Sequence, residues 1–146
     1  MTDVEFHTRV ADRVGYTCRL LRKAYRSGAR VLVTAPAEVL AVLDRSLWAF
    51  EEREFVPHVV VPGSSAALRR RTPIWLAPLS EVFDDPAAGA APRVVVNLGA
   101  DAPRDLQALD RLIEVLSTDV DDVDRGRARW RAYKAAGLNI VHHAGS

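Results

Sequence analysis

The sequence predicts an α/β fold: a single domain over residues 1–146, with a mostly parallel central sheet joined by crossover helices and without a phosphate-binding loop. Three observations predict it. The apolar period switches from two to about four and back along the chain. The opening reads strand, helix, strand, helix, the pattern of parallel strands joined by crossover helices. No two glycines lie within two residues of each other, and the first connection, His7 to Asp12, has none. A dinucleotide fold needs closely spaced glycines there so that the backbone can approach a pyrophosphate, and no G-x-x-x-x-G-K-[ST] occurs.

The elements follow in order. Val4, Phe6 and Thr8 alternate with polar residues, which predicts a first strand. Val10, Val14, Cys18, Leu21 and Tyr25 recur near every fourth position and predict an amphipathic helix, stopped by Ser27-Gly28 with Gly28 as its C′ residue. Val31 to Val33 form a short buried strand. Pro36 then stands at the first position of a helix whose apolar face is Val39, Leu40, Leu43 and Leu47. Val59 to Val61, Ile74 to Leu76 and Val94 to Leu98 read as further strands. Pro62 to Ser65 and Asp84 to Pro92 read as loops. Arg111 to Ser117 fits a strand or a helix end equally by period. A long basic helix follows, stopped at Gly137, and Asn139 to His142 reads as a final edge strand.

Composition narrows the function. Apolar content of 49% and charged content of 27% are those of an ordinary soluble globular chain, large enough to bury a core. A net charge of +1 argues against bulk attraction to nucleic acid, so any charge-based recognition is local. The single cysteine, Cys18, excludes an internal disulfide. With no signal-like N-terminus and no apolar run long enough for a bilayer, the expected location is cytoplasmic, with no membrane partner.

Catalytic constellations are not evident. Cys18 lies on the apolar stripe of the first helix and reads as a buried small residue. His142 and His143 read as an exposed tail without further ligands, and His7 and His58 have no nearby cysteine, so no metal and no cofactor is expected. There is no H-E-x-x-H and no G-x-S-x-G. Glu51, Glu52 and Glu54 read as a solvated cluster, and Arg69 to Arg71 as a basic run beside a loop.

Two segments stand out. The stretch from Arg125 to Ile140 holds five positive charges, no acid and Trp130. On a helix Arg127, Trp130, Arg131 and Lys134 fall at i, i+3, i+4 and i+7 and share one face. A basic rim around an aromatic platform suits a ligand with carboxylates and one apolar side chain. The plainer account is that Asp119, Asp121, Asp122 and Asp124 and the bases after them complement the helix dipole, with Trp130 and Tyr133 in the core. The second segment places Trp48, Phe50 and Phe55 within eight residues of one another, after a helix whose core face is already supplied. Such a cluster either tucks a loop down or anchors a partner.

These residues carry a resemblance. RSGARVLV (Arg26 to Val33), LDRSLWAFEEREFVPH (Leu43 to His58) and RARWRAYKAAGLNI (Arg127 to Ile140) resemble the chi subunit of the bacterial DNA polymerase III holoenzyme over nearly the whole chain. The resemblance implies a single three-layer α/β/α domain of Rossmann-like shape without a phosphate-binding loop, and a non-catalytic adaptor of the clamp-loader assembly. Such a protein would bind the acidic C-terminal tail of single-stranded DNA-binding protein, and so associate indirectly with single-stranded DNA. It would dock onto the psi subunit or another clamp-loader component. The family's tail-binding helix has Arg, Tyr and Lys where Arg127, Trp130 and Arg131 stand here. A lysine one turn earlier is replaced by Val123, with Arg125 as the nearby substitute. The implied tail site is Arg127, Trp130, Arg131, Lys134, Leu138 and Ile140, and the implied docking surface is Trp48, Phe55 and Pro57. The rival classes are a Rossmann-like nucleotide-binding enzyme and a direct nucleic-acid-binding module built on Arg69 to Arg71 and the last helix.

Overall fold

The computed structural model describes residues 2–49, 55–78 and 91–144. In chain order the elements are β1 (Asp3–Thr8), α1 (Arg13–Arg26), β2 (Val31–Thr34), α2 (Ala37–Ala49), β3 (His58–Val60), α3 (Ala66–Arg71), β4 (Ile74–Ala77), β5 (Val94–Asn97), β6 (Arg111–Val115), α4 (Val120–Ala135) and β7 (Ile140–Ala144). The seven strands form one sheet in the order β3-β4-β2-β5-β6-β1-β7, and every pairing is parallel. β2 and β4 are buried at every position, as strands covered on both faces must be.

Alternation along the strands divides the core in two. Val31, Val33, Ile74, Leu76, Val96 and Ile113 face one way, against Cys18 and Leu21 of α1 and Leu40, Leu43 and Leu47 of α2. Val4, Phe6, Leu32, Trp75, Val95 and Leu112 face the other way, against Tyr133 and Trp130 of α4. α3 covers that second face too: the buried Trp75 indole N–H donates to the Arg69 and Thr72 carbonyls at 2.8 Å each. Helices on both faces make the three layers. Burial of each large apolar side chain is worth about 1.5–3 kcal/mol, so the two clusters dominate the stability.

α4 is mostly charged and needs more than an apolar stripe to hold it. Asp119 caps it, accepting from the Asp121 and Asp122 amides at 3.0 and 3.2 Å. Beneath it runs a buried polar chain. Arg129 pairs with Glu114 of β6 at 3.0 Å, and the Tyr133 hydroxyl donates to the same carboxylate at 2.6 Å. Asn97 of β5 adds a third donor at 3.1 Å, and its carbonyl accepts from Thr34 of β2 at 3.0 Å. Burial raises the Glu114 carboxyl, while Arg129, Tyr133 and Asn97 pull it back down. Burial also raises the Tyr133 phenol, aided by Glu114. A buried network of this kind fixes one geometry, and breaking it strands a charge.

Several sequence expectations change. Arg129, one of the five positive charges of the basic stretch, is buried; helix period alone could not show that Glu114 waits beneath it. Tyr25, assigned to the core stripe, is 40% exposed, because α1 ends one residue later. Val10 is fully buried but precedes the helix. Pro36 sits just before α2 and its carbonyl accepts from Val39 and Leu40, one position earlier than expected. The arginine run lies on α3, six residues long and too short to declare a period. Arg111–Val115 resolves as a strand. Gly28 and Gly137 do end their helices, with φ of +80° and +82°. Phe50 to Glu54 and most of the Asp84–Pro92 segment lie outside the described residues.

Candidate functional site

β1 is followed by α1 on one face of the sheet, and its neighbour β6 is followed by α4 on the other. Adjacent strands whose helices leave on opposite faces open a crevice beyond their C-terminal ends. A cavity of about 350 Å³ lies there, lined by Phe6, Thr8, Arg9, Leu116, Val123, Gly126, Arg127, Trp130 and His142. That volume is at the small end of the range of about 300–1,000 Å³ for ligand pockets.

The cavity is preformed. The half-buried Trp130 ring meets Phe6 edge-on at 4.9 Å and His142 at 5.9 Å. The Thr8 hydroxyl and His142 Nε2 lie 2.7 Å apart, which sets the imidazole's position. Gly126 is required for the depth: a Cβ there would stand 2.5 Å from Leu116 Cδ1. Leu116 is itself clamped, donating to the His7 carbonyl at 2.8 Å and accepting from Val10 at 3.0 Å. Between those two bonds the chain turns through Arg9, the one non-glycine described residue with positive φ (+58°). Such a conformation is uncommon outside glycine, and here it brings a cation to the cavity mouth.

Two cations therefore line the cavity, Arg9 from the turn after β1 and Arg127 from α4. The Arg127 side chain is 68% exposed, with only a loose 3.9 Å approach to Asp124. Trp130 and Arg127 come together as the sequence suggested. The helix face that lines the cavity is Val123, Gly126, Arg127 and Trp130, one turn earlier than the predicted one. Arg131 and Lys134 are exposed on α4 outside the lining. Leu138 lines a smaller cavity with Thr2, Gln107, Ala136 and Gly137, and Ile140 packs half-buried on the core opposite Val4. Arg125 is exposed and is not among the lining residues either. Arg9 escaped the sequence reading; the signal available was its place in the first loop after a parallel strand.

At the opposite edge, Trp48 and Phe55 are 60% and 54% exposed. Their rings lie 5.1 Å apart and tilted by 31°, and Trp48 also meets His58 at 5.0 Å. His58 is locked, with Nδ1 2.8 Å from the Val56 carbonyl and Nε2 2.8 Å from Asp44. Pro57 is half-buried beside it.

The geometry argues against nucleotide chemistry. At the N-terminus of α1, where a pyrophosphate would sit, the Asp12 carboxylate accepts from the Gly15 amide at 3.0 Å and would repel a phosphate. Cys18 is fully buried, and burial pushes its thiol up to about 11, so it is no nucleophile at neutral pH. No helix among the described residues is long and apolar enough to cross a membrane.

Comparison with known proteins agrees with this picture. A family model described as DNA polymerase III chi subunit, HolC, matches residues 1–141. DNA polymerase III subunit chi of Pseudomonas aeruginosa is 26% identical over 148 aligned residues, covering 98% of this chain and 96% of that protein. The subunit chi of Haemophilus influenzae is 27% identical, covering 84% and 81%, and that of Escherichia coli 25% identical, covering 84% and 79%. These relatives are named as a polymerase subunit and not for a catalytic activity of their own. With the match running across nearly all of the sheet and its helices, the chain belongs to the DNA polymerase III chi subunit family.

Proposed function

We propose that the chain is a non-catalytic adaptor that receives the acidic, phenylalanine-ending C-terminal tail of single-stranded DNA-binding protein in the cavity between α4 and β7. The observation that carries this reading is an aromatic-walled cavity whose lining also includes two cations, Arg9 and Arg127. A terminal phenyl ring buried against Phe6, Leu116 and Trp130 would gain about 1.5–3 kcal/mol. The terminal carboxylate and preceding acids meet Arg9 and Arg127, with Arg131 and Lys134 further along α4 for the upstream part of the tail. Gains at such an exposed rim are modest, and ordering the tail costs part of the total, so the expected affinity is about micromolar. Several tails on one partner offset that weakness by raising the effective concentration. The Trp48–Phe55 patch, with Pro57, is the docking surface for the psi subunit or an equivalent clamp-loader component, and contact with single-stranded DNA is indirect.

The test is fluorescence anisotropy with a labelled peptide ending acid-acid-apolar-Phe. Wild-type protein should bind it saturably, and deleting the phenylalanine should remove most of the binding. Raising the salt concentration should weaken the complex only moderately, since ring burial is not screened. Binding that survives the deletion and collapses with salt as a polyelectrolyte contact does would overturn the reading. A labelled oligonucleotide bound more tightly than the peptide would do the same.

A further inference from the structure

The β1–β7 register sets His7 directly beside His143, with Glu5 two residues earlier on the same face of β1. Glu5 Oε1 lies 3.6 Å from His7 Nε2 and 3.5 Å from His143 Nε2, and the three atoms fall within 4.8 Å of one another. Donor atoms around a tetrahedral zinc, each about 2.0–2.1 Å from the metal, stand about 3.3 Å apart. These three are therefore close to ligating distances before any ion pulls them in.

Independent observations point the same way. His7 Nε2 is buried and has no hydrogen-bond partner, although buried polar atoms rarely go unmatched. His7 Nδ1 shares a hydrogen bond with the Tyr16 hydroxyl of α1. When Nδ1–H is the donor, Nε2 turns its lone pair toward Glu5 and His143, an outer contact of the kind that orients ligating histidines. Arg111 holds the other carboxylate oxygen, Oε2, through Nε at 2.5 Å. Oε1 stays available, and the carboxylate is oriented.

We propose that Glu5, His7 and His143 form a binding site for a divalent first-row transition ion, Zn²⁺ foremost, that clamps edge strand β7 to β1. Two imidazoles and one carboxylate select such an ion over Mg²⁺ or Ca²⁺, which prefer oxygen donors. His143 is half-exposed, so a fourth position opens to water. The site lies on the face of β7 opposite His142 and shares no residue with the cavity.

Untagged protein stripped with a chelator and titrated with Zn²⁺ in a calorimeter should bind one equivalent. Co²⁺ should give visible d–d bands with the same stoichiometry. Zn²⁺ at a hundredfold excess over its dissociation constant should raise the thermal midpoint by about 5–10 °C. His143→Ala should abolish all three signals, whereas His142→Ala, on the other face of the strand, should keep them. Glu5→Gln should weaken binding at least tenfold. Absence of saturable Zn²⁺ binding at micromolar concentrations in the stripped protein would overturn the proposal, as would binding that His143→Ala leaves intact.

Discussion

Trp130 and Trp48 are each carried by a helix, α4 and α2, and the fold uses them in opposite ways. Trp130 is wedged between Phe6 and His142 and forms the wall of a recess. Trp48 stands 60% exposed at the end of α2, tilted against a similarly open Phe55. The β7 edge is concave and charged at its rim; the β3 edge is convex, aromatic and braced from behind by His58. Six strand spacings separate the two edges, about 29 Å at ordinary sheet geometry. The difference teaches that the strand after a helix can close a recess over its aromatic or leave the ring open. β7 brings His142 up to Trp130, whereas β3, the edge strand after α2, brings His58 to Trp48 and still leaves that ring 60% exposed.

The largest effect should come from beneath the concave edge. Arg129→Met removes the cation that pairs with the fully buried Glu114, and leaving a buried charge uncompensated costs about 3–5 kcal/mol. The loss depends on pH in a defined direction. Without Arg129, burial raises the Glu114 carboxyl further above its unfolded value. A carboxyl of that kind favours folding when protonated, so the native state binds the proton more tightly than the unfolded chain. The variant should thus regain stability as pH falls through the raised value toward the ordinary carboxylate range. Wild type should respond with the same sign but less. Urea midpoints at about pH 8 and about pH 5.5 check this; a variant equally weak at both would show that Glu114 does not carry the cost.

Next in size is the recess itself. Gly126→Val puts a branched side chain where even a Cβ meets Leu116 at 2.5 Å. Either Leu116 yields into the cavity or α4 lifts, at about 1–3 kcal/mol. Tail-peptide affinity should fall more than about tenfold in either case, while the Trp48 edge keeps its partner. A protein of normal peptide affinity would overturn the proposed tail site.

A charge scan ranks below that. Arg9→Glu and Arg127→Glu, both at the cavity mouth, should each weaken the peptide by about tenfold. Arg131→Glu and Lys134→Glu, outside the lining, should cost about threefold or less. Equal losses at all four would restore the broader basic face read from the helix alone.

That ranking shows where sequence was informative. Periodicity found the strands and the long helices because each buries a face, and Gly28 and Gly137 end helices for a backbone reason visible in one residue. Trp130 and Arg127 were legible as a pair because helix geometry places them together. Arg9, Gly126 and Leu116 were not, since they meet only when β1, β6 and α4 converge. Leu138 and Ile140 are near Trp130 in sequence, yet they follow the turn that carries the chain back to the start of β7. Arg129 looked like its neighbours because its partner is fifteen residues away on another element. The β1–β7 register likewise joins His7 to a histidine at the far end of the chain, which no local pattern announces.

The smallest effect should be at the convex edge, and its smallness is the point. Trp48→Ala removes a ring that is 60% exposed and that meets the Phe55 and His58 rings. Little buried area is lost, so stability should change by less than about 1 kcal/mol. Copurification with the clamp-loader partner should nevertheless disappear, because an exposed aromatic that contributes little to its own fold is free to contribute to an interface. Peptide affinity should stay within about twofold of wild type, and combining Trp48→Ala with Arg127→Glu should give the sum of the separate changes, as expected for sites with no shared contacts. A non-additive pair would mean that the sheet transmits strain between its edges, so that filling the cavity and docking the partner are one coupled event. Unfolding by Trp48→Ala would instead show that the ring secures the end of α2, and the docking surface would have to be sought elsewhere.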